Sequence, residues 1–411
     1  MLTLDEALRV VGGLVGKSHT TDALSMSAQL MNLLALQKEP APHTAFEDAA
    51  DWRDGVEVLR GIAAVSVMLF HCIGLLPWNV SGMPMAVFGA GWIDVDLFFV
   101  ISGYVITGSA ARQKGLPDYA RYFWRTRLAR ILPLYYFTSV VFLAVVSSAA
   151  LDKDATFQIV SHLFLVHNFF QNTAFSINGV TWSLGVEMQF YLLAFFIVPF
   201  ATSAGRKTLV GSYLLLFFGV LAYRMAAWHW LRSADAPDAT ISHVLSQVPA
   251  LIESFALGGL ICLLGSPKVS QMRSVLLALL AFALFIAIYV IYDANAALYW
   301  RSQPMAVLFR SLIAAFAAIA LLAALSSRAQ WRNALWRPML ELGKISYGIY
   351  LWHLIVLFLV QRHLPFRGTA AVAVIVVLTL LLAEFSLYAI ERPCMRWARN
   401  TRRTPTIPPQ C

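Results

Sequence analysis

Long apolar runs separated by short polar breaks set the pattern of this chain. The stretch Ser274–Tyr292, SVLLALLAFALFIAIYVIY, carries no charged residue. About 20 apolar residues let a helix cross the hydrocarbon of a bilayer, where no backbone group can stay unpaired. Ten stretches approach or exceed that length, near residues 58–77, 86–110, 131–150, 183–203, 209–228, 246–265, 274–292, 305–325, 340–361 and 369–390. The pattern predicts an all-α fold, a polytopic integral membrane bundle of about ten transmembrane helices. Short alternating segments, the mark of a membrane β-barrel, are not visible. Phe157–Phe170 is apolar but short, and His162, His167 and Asn168 interrupt it. It reads as a re-entrant or interfacial segment.

Composition points the same way. Of the 411 residues, 59% are hydrophobic and 13% charged, too little polar surface to cover a soluble domain of this size. The net charge of +9 would suggest nucleic acid in a soluble protein. Here the basic residues sit in short connections between spans, so topology accounts for them and no nucleic-acid partner is expected. With the N-terminus in the cytosol, the inside loops and the C-terminal tail hold eighteen Lys and Arg, against five outside (Lys153, Arg232, Arg301, Arg362 and Arg367). Counting Phe157–Phe170 as an eleventh span inverts everything after it and breaks this bias, so both termini are expected in the cytosol. Residues 1–55 read as an N-terminal extension, partly disordered or amphipathic, with no secretory signal. Residues 56–393 form the transmembrane unit and 394–411 a basic tail. Cys72, Cys262, Cys394 and Cys411 show no pairing or metal spacing, so free thiols and no metal are expected.

Ionisable groups inside spans are expensive and mark candidate function. Arg60 and His71 lie 11 residues apart in the first span, which sets them only about 20° apart around a helix and about 16 Å apart along it. They share one stripe. Arginine is a permanent cation suited to phosphate or carboxylate, and histidine takes and returns protons near neutral pH. A snorkelling arginine and a packing histidine explain the pair equally well. Asp96 lies deep in the second span, with Asp94 nearer its mouth. Asp96 needs a partner, and a structural ion pair competes with a catalytic role. Ser102-Gly103 fits close helix approach. Before the third span, RYFWRTRLAR carries Arg121, Arg125, Arg127 and Arg130, which suit topology, anionic lipid or a phosphate-rich ligand. Trp182, Ser183 and Glu187 sit together in a later span, and Tyr350 and His353 are i, i+3 neighbours on another. Trp182 alone fits an interface anchor. The topology puts His71, Asp96, Glu187 and His353 all in the middle-to-outer half of the bilayer, as a shared polar cavity requires.

Five blocks in order carry a resemblance: LRGIAAVSVMLFH with its Arg-x10-His spacing, DVDLFFVISGYVIT, RLARILPLYY, TWSLGVEMQFY and ISYGIYLWH, closed by Glu391-Arg392-Pro393. Over roughly Val56–Pro393 the sequence resembles the membrane acyltransferase-3 family, which includes O-antigen, exopolysaccharide and nodulation-factor acetyltransferases. The resemblance implies a multi-pass protein of the inner (plasma) membrane with no tightly bound cofactor. It implies an acyl-CoA donor from the cytosol, acetyl being the commonest group, and a carbohydrate or lipid-linked glycan acceptor on the far side, amid membrane lipids. Arg60 and His71 are implied to be essential, His71 as general base or transient acyl carrier. Arg127 and Arg130, with Arg125 beside them, are implied to hold the coenzyme A phosphates. Glu187 matches a position tied to activity, and Tyr350 and His353 match the late block. Glu57-Val58-Leu59 replaces a usual Asp-Gly, and Tyr104 a usual Phe. No fused acyl-carrier module is expected after the last span.

Acyl transfer to a hydroxyl needs a base, a held thioester and exclusion of water. His71, the arginines and the bilayer interior supply these in turn, with Asp96 or Glu187 expected to orient His71. The main rival is a transporter or flippase with a proton relay. A non-catalytic sensor or assembly protein leaves the Arg60–His71 stripe unexplained. One cavity joining the Arg127/Arg130 face to His71 is the expected geometry of the enzyme.

Overall fold

A computed structural model of the chain describes residues 51–76, 88–148, 151, 154–265, 270–327 and 333–400. Most of the expected N-terminal extension, the end of the basic tail and Cys411 lie outside them. Among the described residues the regular structure is all helical. In chain order the helices are α1 (Asp51–Leu75), α2 (Asp94–Gln113), α3 (Tyr119–Val141), the short α4 (Ala155–Leu163), α5 (Trp182–Ala201), α6 (Arg206–Ser233) and α7 (Asp238–Val244). Then come α8 (Val248–Leu264), α9 (Gln271–Asn295), α10 (Gln303–Ser326), α11 (Arg337–Lys344), α12 (Ser346–His363), α13 (Gly368–Ser386) and α14 (Arg392–Asn400).

Eight continuous helical stretches are long and apolar enough to cross a bilayer. The pairs α7–α8, bent by 43°, and α11–α12, bent by 76°, make the total ten when each counts as one span. These ten overlap the stretches picked out by hydropathy, and two extensions change the reading. The third span begins at Tyr119, so RYFWRTRLAR forms the opening turns of α3 rather than a loop. Arginine and leucine are good helix formers, and the helix continues past Pro133. The last span runs through a π turn at Leu387–Glu391 into α14. Residues 394–399, expected as the start of a tail, therefore prolong that helix.

Phe157–Phe170 does not span. It contains the nine-residue α4 followed by turns, and nine helical residues reach only about 14 Å. Leu163, Phe164, Phe169 and Phe170 are exposed there, and His162 and His167 stack with ring centroids 4.2 Å apart.

Burial separates lipid-facing helices from central ones. Along α9 the residues Leu276, Leu279, Phe282, Ile286 and Val290 are exposed at helical spacing, as are Leu214, Leu215 and Phe218 on α6. Such apolar stripes invite association in water; in a bilayer they face lipid. α2 is the opposite case, packed against α1, α5, α8 and α10. Its contact with α8 brings backbones together. A β-carbon at Gly103 collides with the Phe255 carbonyl, and one at Gly258 with the Val100 carbonyl. Small residues allow this approach without a hydrophobic driving force. Gly103 is thus the packing member of the Ser102-Gly103 pair, and Ser102 is left to face elsewhere.

Candidate functional site: an arginine-rich cavity beneath a histidine pair

A cavity of about 470 Å³ opens between α1, α2, α3, α5, α12 and α14, within the usual size of small-molecule sites. α2 gives its long axis. Arg112, Gln113 and Ser109 lie at one end, Ser102 midway, and Phe98 and Val95 at the other. Seventeen helical residues cover about 25 Å.

The helical register of α3 decides which arginines reach the cavity. Arg127 and Arg130 stand at i, i+3 on one face and both line it. Arg125 is two residues from Arg127, about 200° around the helix. It does not line the cavity, and its guanidinium lies 6.0 Å from the Trp397 ring of α14. The expectation that Arg125 joins the other two came from treating this stretch as a flexible loop, and the helix corrects it.

Arg60 lines the cavity from α1, with its Nη1 3.5 Å from Glu57 Oε1. Glu57, a departure noted in the sequence, is therefore the partner of Arg60 one turn away. Opposite, Ser102 donates a short hydrogen bond to Glu187 Oε1, and the Tyr191 hydroxyl donates to the same oxygen at 2.7 Å. Both donors converge on one oxygen, leaving Glu187 Oε2 to the cavity that Ser102, Glu187 and Tyr191 all line. Tyr191 was not foreseen, although its i+4 spacing from Glu187 is the signal that finds it.

At the far end Tyr350 lines the cavity beside Ser183, their hydroxyls 2.8 Å apart. The Tyr350 hydroxyl also donates to the Val180 carbonyl at 2.9 Å. Beyond the tyrosine lies an imidazole pair. The Tyr350 and His353 ring centroids are 6.0 Å apart, and His353 Nε2 is 3.2 Å from His71 Nδ1. His353 Nδ1 lies 3.0 Å from the Ile349 carbonyl, and His71 Nδ1 lies 2.9 Å from the Val67 carbonyl. Carbonyls accept, so both Nδ1 atoms carry hydrogens. That assignment makes His353 Nε2 an acceptor and leaves His71 Nε2 with a lone pair.

His71 thus has a histidine as its partner, where a carboxylate was expected. Glu187 is bound to Ser102 and Tyr191. Asp96 belongs to another cluster, with Oδ2 3.4 Å from Arg310 Nη1 and Oδ1 3.4 Å from Ser254 Oγ. Nearby, Arg224 pairs with Glu253 at 2.6 Å, and Ser311 donates to both Glu253 oxygens at 3.0 Å. Arg224 also donates to the Ala250 and Val307 carbonyls at 2.9 and 3.2 Å. Asp96 does not line the cavity, and neither do His71, His353 or Trp182. Trp182 packs edge-on to Phe99 at 6.4 Å. The cavity therefore joins Arg127 and Arg130 to Arg60 and Glu187, and stops at Tyr350 one ring short of the histidine pair. Arg224, Glu253 and Arg310 escaped the sequence reading, although each is a lone charge in an apolar run, which was a legible signal.

Comparison with known proteins gives the family. Residues 53–388 match the acyltransferase domain of the acyltransferase-3 family. The protein YrhL of Bacillus subtilis, provisionally assigned as a peptidoglycan O-acetyltransferase, is 28% identical over 375 residues, covering 82% of this chain and 54% of its own length. The peptidoglycan O-acetyltransferase OatA of Listeria monocytogenes is 26% identical, with 82% and 55% covered. The O-acetyltransferase OatA of Staphylococcus aureus is 25% identical, with 82% and 56% covered. The chain spans about half the length of these relatives. No solved structure matches it. With most of its length matched and up to ten helical spans, the chain belongs to the acyltransferase-3 family of multi-pass membrane proteins.

Proposed function

We propose that this protein is an O-acyltransferase of the inner (plasma) membrane, moving an acyl group, acetyl in the simplest case, from cytosolic acyl-CoA to a hydroxyl of a glycan. The observation that carries this reading is the cavity itself, cationic at one end and ending under Tyr350, whose ring adjoins the His353–His71 pair. Arg127 and Arg130 supply guanidinium groups for the donor phosphates, which arginine binds bidentately. The thioester end lies farther in, between Glu187 and Tyr350. The sugar hydroxyl comes from the opposite side to His71. As general base, His71 Nε2 takes the hydroxyl proton while the oxygen attacks the thioester carbonyl; the C–S bond breaks and the departing thiolate takes up a proton. As transient carrier, His71 Nε2 receives the acyl group first and passes it on. His353 holds the His71 ring in either case. Because Tyr350 closes the cavity short of His71, the acyl group passes that ring during the cycle. The relatives named peptidoglycan O-acetyltransferases support a cell-wall or related glycan as acceptor.

The test supplies radiolabelled acetyl-CoA to inverted membrane vesicles containing the wild type or His71→Ala. The wild type transfers label to the glycan fraction, and His71→Ala loses transfer by about 10²–10⁴-fold, the usual range for a general base. Equal labelling by both removes His71 from the chemistry.

A further inference from the structure

The five arginines lining the cavity divide into two electrostatic zones. Arg60 and Arg130 already lie among carboxylates. Glu57 pairs with Arg60, and the carboxylates of Glu57, Glu391 and Glu187 act on Arg130. The other zone lies toward the rim. Arg127 is only 7% exposed, yet it donates only to the Thr126 hydroxyl at 2.9 Å and the Phe123 carbonyl at 3.4 Å, with the Phe123 ring 4.2 Å from its guanidinium. Its buried Nε has no partner. No ion pair among the described residues involves Arg127 or Arg399. The Arg112 cation acts on Arg127 as well. A buried guanidinium with no carboxylate partner is costly unless an anion comes to it.

Arg112 and Arg399 reach this rim from helices far apart in sequence, and both line the cavity. Arg399 sits on α14, which the π turn at Leu387–Glu391 joins to the last span. That helix packs on α3, with Ala398 buried, Arg125 on the Trp397 ring at 6.0 Å and Arg392 on the Tyr388 ring at 4.0 Å. Along α2, Ser102 and Arg112 are ten residues apart, about 15 Å. A coenzyme A thioester carries phosphate at two places: a diphosphate next to the pantetheine arm, and a 3′-phosphomonoester on the ribose at the end away from the sulfur. With the thioester inward, the monoester is the outermost anion.

We infer that Arg112 and Arg399 form a recognition site for the ribose 3′-phosphate of the donor, with Arg127 holding the diphosphate behind them. The inference rests on the acyl-CoA reading above. It makes α14 part of the donor site and adds Arg112 and Arg399 to the phosphate-binding arginines.

Calorimetric titration of the purified full chain with coenzyme A and with 3′-dephospho-coenzyme A tests it. Wild type binds coenzyme A about tenfold more tightly than the dephospho form, as one lost charge-assisted contact predicts. Arg399→Gln and Arg112→Gln lower the affinity for coenzyme A by a similar factor and leave the dephospho form unchanged, so the ratio falls to about one. Arg399→Lys keeps part of it. Arg127→Gln weakens both ligands and preserves the ratio. Unfolding midpoints of the rim variants stay at the wild-type value, since both side chains are exposed. Equal wild-type affinity for the two ligands, or equal weakening of both by Arg399→Gln, overturns the inference while leaving the donor reading standing. A folded wild type that binds neither ligand overturns both.

Discussion

Two sets of charges are sunk into this bundle, and they add up differently. Asp96, Arg310, Arg224 and Glu253 form a group of two anions and two cations, each at least 93% buried and each with a partner of opposite sign. The cavity set has five arginines and two glutamates on its walls, an open end, and a buried arginine with no anion. The first group tethers α2, α6, α8 and α10, and the second can attract a ligand. Charge inside a membrane span is therefore not by itself a sign of chemistry. What distinguishes a site is an unbalanced sum together with an opening.

Variants that break this contrast have the largest expected effect. Glu253→Gln or Arg224→Met leaves one buried charge without its partner and costs about 3–5 kcal/mol, read as a fall in the unfolding midpoint in detergent. Replacing both by methionine recovers much of the loss, because the pair is coupled. Arg127→Gln in the cavity lowers donor affinity and leaves the midpoint at or above that of wild type. If Glu253→Gln and Arg127→Gln shift the midpoint alike, the two clusters are not different in kind.

Acid has the next largest effect, on the segment that fails to span. Burial pushes the His167 imidazole down to about 3, and burial also lowers His162. A histidine held below its unfolded value near 6.5 binds its proton in the unfolded state first. The stability it contributes is whole above about pH 6.5 and is lost as pH falls toward the folded value. At pH 5 the loss from His167 is about 2 kcal/mol. The unfolding midpoint should fall between pH 7 and 5, and by less in His167→Phe. An equal fall in that variant places the sensitivity elsewhere.

The smallest effect concerns Ser102. Its hydrogen bond to Glu187 is worth about 1.5 kcal/mol as a bond to a charged group. Ser102→Ala lowers kcat about tenfold with the donor affinity and unfolding midpoint unchanged, and Ser102→Thr restores most of it. A loss confined to the affinity for coenzyme A makes Ser102 a binding residue instead.

The spans were legible because the length of an apolar run answers directly to bilayer thickness. The stripe expected for Arg60 and His71 was legible only as spacing on one helix: Arg60 lines the cavity, and His71 stands beyond Tyr350 against His353. Partnerships were not. His71 and His353 are separated by 282 residues, and Ser102 and Glu187 by 85, and no periodicity within one helix states which helices touch. Arg125 was misplaced for a local reason, since a loop lets all its arginines converge and a helix does not. Asp96 looked like a reacting group because its partner, Arg310, lies in a span whose charge was overlooked.

The surplus of positive charge in the cavity is expected to receive the phosphate-bearing half of the donor. A cryo-electron microscopy map of the full chain with bound coenzyme A tests it most directly. Nucleotide density is expected among Arg112, Arg127 and Arg399, with the sulfur lying past Ser102 and Glu187 toward Tyr350. Nucleotide density at any other surface, with this cavity empty, contradicts it.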